Sequence, residues 1–190
     1  MSTATPTLAQ TLLPNRTITR DLALIGGGVA LTALAAQVRI AWQPVPFTLQ
    51  TLVVMLVGLG AGSRLGFLTL LTYVGIGVAG APVFEGLAHG PSQLTGVTGG
   101  YLVGFIATAT LLGWMSDRGY TKSVLGSALA LAAGSLLTLV LGTLWLGTHI
   151  GLQNAVKAGF LPFIGIEAAK AAIAIPILPS AWRFLKSHPR

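Results

Sequence analysis

Long stretches without a charged side chain are the feature that most constrains how this chain can fold. Charged residues separate five such stretches, which are residues 22–38, 40–63, 65–84, 86–116 and 123–156. Only 8% of all residues are charged, whereas a typical soluble domain has about 25%. So few charges cannot cover the surface of a soluble protein of this length. The composition therefore indicates an integral membrane protein.

The lengths of these stretches predict six transmembrane helices. A spanning helix needs about 20 apolar residues. The first three stretches and the second half of 86–116 each supply one span, and 123–156 supplies one span and a loop. A sixth span runs from about Phe160 to Trp182. Because no alternating strand pattern appears, we expect an all-α, integral membrane domain over residues 22–182. It is flanked by a disordered arm (1–21) and a short basic tail (183–190).

Lysine and arginine are unevenly divided between alternate loops. With the N-terminus in the cytoplasm, two of them, Arg39 and Lys157, lie outside. Eight lie inside, namely Arg16, Arg20, Arg64, Arg118, Lys122, Arg183, Lys186 and Arg190. Positively charged loops remain on the cytoplasmic side, so both termini are predicted to be cytoplasmic. This placement also accounts for the net charge of +7 without a nucleic acid partner.

No motif in the sequence indicates catalysis, a metal or a cofactor. His89, His149 and His188 lack the spacing of metal ligands, and cysteine is absent. Residues 75–80, GIGVAG, match the glycine pattern of dinucleotide sites, but they lie in an apolar stretch without a preceding strand. No phosphate-binding loop of the type GxxxxGK[ST] occurs. We therefore expect a non-enzyme, and any ATP that it uses must be hydrolysed by another subunit.

Two ionisable residues, Glu167 and Lys170, lie within the last predicted span. Their spacing of three places both on one face of a helix. A charge at the bilayer centre costs about 2.5–3.5 kcal/mol on insertion scales. Two arrangements remain open: a self-contained pair near the outer interface, or a pair that lines a polar cavity. Charged residues inside a span favour the cavity.

The first outer loop contains two closely spaced prolines in the sequence RIAWQPVPFTLQ at residues 39–50. Pro44 and Pro46 favour a non-helical turn, after which Thr48 and Gln50 enter the second span. The Gln50 amide offers a donor and an acceptor. It therefore suits either a ligand or a neighbouring backbone group.

The third loop and the start of the fourth span, residues 80–105, form a long, glycine-rich segment on the same predicted side. Long loops of membrane proteins can fold over a site as a lid. Tyr101, at the start of the fourth span, suits either a cavity wall or an interfacial aromatic belt.

Small residues recur along the first predicted span. They include Gly26, Gly27, Ala30, Ala33 and Ala36. Such a stripe allows another helix to approach closely. The neighbour is either another helix of this chain or a partner subunit.

Together, these segments resemble the BioY family, the biotin-specific S components of energy-coupling factor (ECF) transporters. The matching segments are PVPFTLQTL (44–52), GAPVF (80–84), TGGYLVGF (98–105) and LPFIGIEAAKAAIA (161–174). They occur in the expected order, and the resemblance covers about residues 22–180. It implies a six-helix protein of a bacterial or archaeal cytoplasmic membrane that captures biotin with high affinity. The implied partners are a transmembrane coupling subunit and two cytoplasmic ATPases, although a homo-oligomer that acts alone also fits.

The last matching segment departs from the family pattern. There the family usually has Pro-Gly-Asp, then two residues and a lysine, whereas this chain has GIEAAK at residues 165–170. Lys170 is retained, and Glu167 replaces the aspartate. Glutamate reaches about one methylene further, so the geometry of the site is expected to differ.

The chemistry of biotin suggests roles for the candidate residues. Glu167 would accept a hydrogen bond from a ureido N–H, and Gln50 or Thr48 would supply complementary bonds. Lys170 and Arg39 would pair with the carboxylate, or Lys170 would bind the ureido carbonyl and Arg39 alone the carboxylate. The apolar wall would comprise Phe47, Tyr73, Phe84 and Tyr101. The small residues of the first span, chiefly Gly26, Gly27, Ala30 and Ala33, would dock on the coupling subunit.

Two other functions remain open from the sequence. One is an S component for a different small vitamin, which a panel of ligands would distinguish. The other is a stand-alone ion-coupled carrier that uses Glu167 and Lys170 to relay protons. The carrier would work without ATPases and would depend on a pH gradient.

Overall fold

The computed structural model describes residues 5–187, with side chains as far as Phe184, and the chain is almost entirely helical. Its first half contains α1 (Leu8–Leu12), α2 (Ile18–Gln37), β1 (Arg39–Ile40), β2 (Phe47–Thr48), α3 (Gln50–Ala61) and α4 (Ser63–Val78). Its second half contains α5 (Ser92–Thr95), α6 (Gly99–Asp117), α7 (Val124–Ile150), α8 (Leu152–Ala155) and α9 (Leu161–Ser187). Short 3-10 turns occur at Glu85–Leu87 and Tyr120–Lys122, and a π turn at Val156–Phe160 joins α8 to α9.

Each of the six predicted spans corresponds to one helix, namely α2, α3, α4, α6, α7 or α9. Four helical stretches among the described residues are long and apolar enough to cross a membrane: α2, α6, α7 and the continuous stretch Leu152–Phe184. With 12 and 16 residues, α3 and α4 are shorter than the usual span of about 20. The all-α class is therefore confirmed, whereas six crossings and cytoplasmic termini stay predictions.

The shortness of α3 makes room for irregular backbone at one end of the bundle. At 1.5 Å per residue, its 12 residues rise only about 18 Å. The chain before it forms the two-residue antiparallel ladder of β1 with β2, joined by residues 41–46. Pro44 and Pro46 disfavour a helix in this segment. Non-helical backbone is tolerated at membrane depth where it lines a cavity within the protein.

The core centres on α6, which packs against α3, α4 and α7. Gly58 of α3 lies so close to α6 that an added Cβ would be 2.6 Å from the carbonyl oxygen of Ala109. Two apolar clusters fill the interior. One surrounds Tyr73, Tyr101 and Phe163, and the other comprises residues such as Met55, Leu59, Leu112 and Leu131. The first cluster lies at the end of the bundle that contains the irregular loops.

The Gly58→Ala variant is expected to lower the free energy of unfolding by about 1–3 kcal/mol, because its new methyl group overpacks the contact with Ala109. Gly60→Ala is the matched control, since a Cβ there has nothing within 4 Å. Alanine favours a helix more than glycine does, so the control should be neutral or slightly stabilising. Thermal unfolding in detergent, followed by circular dichroism, measures both. Equal Tm values would contradict the close contact of α3 with α6.

The N-terminal arm differs from the expected disorder. A capping box formed by Thr7 and Gln10 begins α1, and the Thr5 N–H donates to the Asp117 carbonyl at 2.8 Å. The Arg20 Nη2 atom donates to the Ala9 carbonyl at 2.9 Å. These bonds join the arm to α2 and α6, and α2 begins at Ile18 rather than at residue 22. Residues 1–4 of the arm and 188–190 of the tail, with His188 and Arg190, lie outside the described residues.

Candidate functional site

A cavity of about 70 Å³ lies at the end of the bundle where α3 and α6 begin. It is bordered by both irregular loops and by α6, α7 and α9. Six of the nine residues predicted for the ligand site line it, namely Thr48, Gln50, Phe84, Tyr101, Glu167 and Lys170. Ligand pockets usually measure about 300–1,000 Å³. A vitamin-sized ligand therefore requires the surrounding loops or side chains to move.

Lys170 and Glu167 form a buried ion pair on α9. The Lys170 Nζ atom donates to Glu167 Oε1 at 2.7 Å, to Thr51 Oγ1 at 2.6 Å and to the Thr48 carbonyl at 2.7 Å. These three bonds use all three donors of the ammonium group. The side chains of Lys170 and Glu167 are only 11% and 4% exposed. The pair is therefore held inside the protein and tied to the start of α3.

One oxygen of the Glu167 carboxylate lacks a partner. Oε1 accepts from both Lys170 and the Thr51 hydroxyl, the latter at 2.8 Å. Oε2 is buried and accepts no hydrogen bond from any described residue. A buried acceptor without a donor is destabilising, more so when it is charged. Oε2 is thus a buried acceptor that still lacks a donor within the described part of the chain.

A chain of hydrogen bonds links the loop before α3 to the loop before α6. The Thr48 hydroxyl donates to Gln50 Oε1 at 2.9 Å, and Gln50 Nε2 donates to the Tyr73 hydroxyl at 2.7 Å. The Tyr73 hydroxyl donates in turn to the Val83 carbonyl at 3.0 Å. Tyr73 is fully buried but does not line the cavity. Its contact with Gln50 holds that cavity-lining amide in place.

Aromatic side chains form one wall of the cavity. Phe163, one turn before Glu167, lies with its ring centroid 4.4 Å from that of Phe47 and 6.0 Å from that of Tyr101. The Tyr101 hydroxyl donates to the Gly159 carbonyl at 2.7 Å. Tyr101 therefore belongs to the cavity wall and not to an exposed aromatic belt. Phe47 lies behind Phe163 and does not itself line the cavity.

Among the cavity residues that were not predicted from the sequence, Thr51 and Phe163 contact the predicted ones most directly. Phe163, Glu167 and Lys170 are spaced by four and three residues, so they share a face of α9. That helical spacing identifies Phe163. Thr51 carries no comparable signal, because its role follows from the packing of α3 against α9.

Arg39 does not line the cavity, although it was predicted to bind a carboxylate there. Its side chain is 46% exposed and forms an ion pair with Glu85. Glu85 belongs to the third loop and does line the cavity. Arg39 therefore contacts the loop above the cavity rather than the interior.

The third loop is anchored to the end of α2. Gln37 Nε2 donates to the Phe84 carbonyl at 3.0 Å, and the Leu87 N–H donates to Gln37 Oε1 at 3.2 Å. Leu87 has a φ of 62°, which is rare for a bulky side chain. The adjacent Gly86 has a φ of 64°. This tight turn presents the buried Phe84 ring to the cavity.

The small residues of α2 wrap around the helix. Gly26, Gly27 and Ala30 are exposed, Ala33 is half-buried and Ala36 is buried. A Cβ added at Gly26 or Gly27 would have nothing within 4 Å. The N-terminal part of the stripe is therefore an open surface, whereas Ala36 packs inside the bundle.

A bundle of apolar helices around a cavity with an ion pair and aromatic walls is typical of a membrane protein that binds or transports a small molecule. The chain belongs to the BioY family, whose sequence model matches residues 4–187. Membership of this family and the apolar helices together identify the chain as a multi-pass protein of the cytoplasmic membrane. Membership of the family also identifies it as a transporter component rather than an enzyme.

Several relatives match most of the chain. It is 37% identical over 158 residues to the "Probable biotin transporter BioY" of Pyrococcus horikoshii. The aligned residues cover 83% of this chain and 93% of that relative. It is 38% identical over 155 residues to the "Biotin transporter BioY2" of Lactococcus lactis, with coverage of 80% and 85%. A solved structure, described as the S-component for biotin from an ECF-type ABC transporter, matches with a TM-score of 0.78 and 22% identity. The structural match covers 89% of this chain and 95% of the chain in that solved structure, so the two proteins share one fold.

Proposed function

We propose that this chain captures biotin for uptake, as the S component of an ECF transporter. The observation that carries the proposal is the buried ion pair of Glu167 and Lys170 at the cavity, with Glu167 Oε2 free to accept a hydrogen bond. The names of the relatives support biotin as the ligand. ATP would be hydrolysed by partner subunits.

The ureido group of biotin would bind next to Glu167. It presents N–H donors, and burying them without acceptors would cost about 1–3 kcal/mol each. Glu167 Oε2 would accept from one of them. Gln50 uses one of its two amide N–H groups for Tyr73, so the other would reach the ureido carbonyl. Lys170 would chiefly hold Glu167 in place, because its three donors are already used.

The carboxylate of biotin would point toward the loops. Arg39 pairs with Glu85, which lines the cavity, and its guanidinium has five N–H donors, so a carboxylate at that edge would share the guanidinium with Glu85. This orientation retains Arg39 as the partner of the carboxylate, whereas Gln50 replaces Lys170 at the ureido carbonyl. The walls would be apolar and would pack on the thioether ring through Phe163, Tyr101 and Phe84.

The third loop would act as the lid, and the Arg39→Gln variant tests this role. An exposed ion pair contributes about 0.2–1 kcal/mol, so its loss should make biotin dissociate roughly 1.4 to five times faster. Dissociation of labelled biotin, chased with unlabelled biotin, measures the rate. Lys157→Gln is the control, because Lys157 is exposed and forms no ion pair with a described residue. Equal rates for wild type and Arg39→Gln would contradict the lid.

The open surface of α2 would dock on the coupling subunit. The Ala30→Trp variant should reduce copurification of the coupling and ATPase subunits at least tenfold, because a large ring prevents close helix packing. Biotin binding should be unchanged. Leu129→Trp adds the same ring to an exposed position on α7 and serves as the control. Undiminished copurification with Ala30→Trp would exclude α2 as the docking surface.

Mass spectrometry of the purified protein provides the direct test of the ligand. Bound biotin is expected, and biotin should bind more tightly than other small vitamins in a calorimetric panel. Tighter binding of another vitamin would indicate a different S component. Biotin uptake that follows a pH gradient without ATPases would instead indicate an ion-coupled carrier.

A further inference from the structure

A second polar pocket, of about 190 Å³, lies at the end of the bundle opposite the cavity. In this region α2 begins, α3 turns into α4 at Gly62, and α6 ends. Its charged lining consists of Arg16, Arg20, Asp21, Arg64 and Asp117. Three arginines and two aspartates leave one net positive charge. The biotin site uses none of these residues.

The arginines retain unused hydrogen-bond donors. The Arg20 side chain is 7% exposed and donates from Nη2 to the Ala9 carbonyl, and its Nη1 lies 3.5 Å from Asp21 Oδ1. Its Nε atom is buried and has no partner among the described residues. Arg16 and Arg64 are exposed and form no ion pair with the described part of the chain. Guanidinium groups bind phosphate in a bidentate manner.

The second aspartate, Asp117, is already engaged. Its Oδ2 atom accepts from the Ser63 N–H at 3.2 Å and from the Ser63 hydroxyl at 2.6 Å. It therefore caps the start of α4, where unpaired N–H groups and the helix dipole favour negative charge. Because Asp117 is bonded to Ser63, the hydrogen-bond donors of the three arginines are the main groups that the pocket presents to a ligand.

Apolar residues flank these arginines in the chain. Leu12, Leu13, Ile18 and Leu22 are all exposed, and they lie on either side of Arg16 and Arg20. A basic pocket beside exposed apolar side chains at the end of membrane helices matches the headgroup and acyl chains of a lipid. We propose that the pocket around Arg16, Arg20 and Arg64 binds the phosphate headgroup of an anionic phospholipid.

Titration of phosphatidylglycerol into the full-length protein in detergent, read by native mass spectrometry, tests the site. The Arg16→Gln/Arg64→Gln variant changes only exposed arginines of the pocket, so folding should be preserved. Its affinity for phosphatidylglycerol should fall about 30-fold, since each basic residue near a lipid surface contributes about a factor of five. The control is Arg118→Gln/Lys122→Gln, because these cations lie over the rings of Trp114 and Trp182 rather than in the pocket. The control should stay within threefold of wild type.

Several outcomes would overturn the proposal. An equal loss in both double variants would indicate general charge attraction. Equal binding of phosphatidylcholine would exclude recognition of an anionic headgroup. Displacement of the lipid by millimolar inorganic phosphate would indicate a site for free phosphate. If the wild-type protein binds no phosphatidylglycerol and the Arg16→Gln/Arg64→Gln variant fails to copurify with the coupling subunit, the pocket would be a protein contact instead. Circular dichroism and elution volume verify the fold of each variant, independently of biotin binding.

Discussion

The Lys170→Met variant is expected to lose about 3–5 kcal/mol of folding stability, because it leaves the Glu167 carboxylate buried without its cation. The substitution also removes the bonds from Lys170 to the Thr48 carbonyl and the Thr51 hydroxyl, which join α9 to the start of α3. For a chain of this length, the change corresponds to a fall in Tm of roughly 6–20 °C. Thermal unfolding in detergent without ligand measures it.

The double variant Glu167→Gln/Lys170→Met separates stability from binding. Removal of both charges from a buried pair is often close to neutral, so the double variant should recover most of the lost Tm. It should still bind biotin roughly 10- to 150-fold more weakly than wild type, because the charged acceptor is gone. A double variant as unstable as Lys170→Met would show that the instability does not come from the unpaired carboxylate. An unchanged Tm in Lys170→Met itself would contradict the buried pair.

The Glu167→Gln variant is expected to bind biotin roughly 10- to 150-fold more weakly. A hydrogen bond to a charged group contributes about 1.5–3 kcal/mol, and glutamine removes the charge while keeping the length of the side chain. Equilibrium binding of labelled biotin measures the change. Asp21→Asn is the matched control, because it makes the same chemical change at the opposite end of the bundle. An affinity equal to that of wild type would remove Glu167 from the ligand site.

A shorter acid tests the departure from the family pattern. The Glu167→Asp variant keeps the charge but withdraws the carboxylate by one methylene. Oε1 of Glu167 lies within 2.8 Å of both Lys170 Nζ and Thr51 Oγ1, so the shorter side chain cannot keep both contacts without a shift of α9. Weaker binding than wild type is therefore expected. Tighter binding would mean that the shape of the cavity still suits the aspartate that the family usually has at this position.

The helices and the ion pair could be predicted because their signals are local. Charge-free stretches mark membrane helices, and a spacing of three residues places Glu167 and Lys170 together whatever the rest of the fold. Gln50 and Tyr101 lie at the first turns of α3 and α6, and both helices begin at the cavity end. The predicted topology therefore placed both residues at the correct end of the bundle, and only the packing of the helices shows that both line the cavity.

The remaining parts of the site depend on contacts between distant segments. Arg39 points to Glu85 because the third loop turns sharply at Gly86 and Leu87, and the sequence does not specify that path. Tyr73 was predicted to belong to the apolar wall, but it does not line the cavity, and its hydroxyl lies between Gln50 and Val83. The order of the arm was likewise missed, because it depends on hydrogen bonds to α6 more than 100 residues away.

The bonds from Lys170 to Thr48 and Thr51 have a consequence for biogenesis. They join positions 122 and 119 residues apart, so they cannot form until α9, the last of the described helices, has left the ribosome and entered the bilayer. Glu167 and Lys170 enter with it and can already neutralise each other as neighbours on one helix face. The first five apolar helices can therefore insert while the cavity is still incomplete. The cavity would therefore be completed only after α9 has packed against the start of α3.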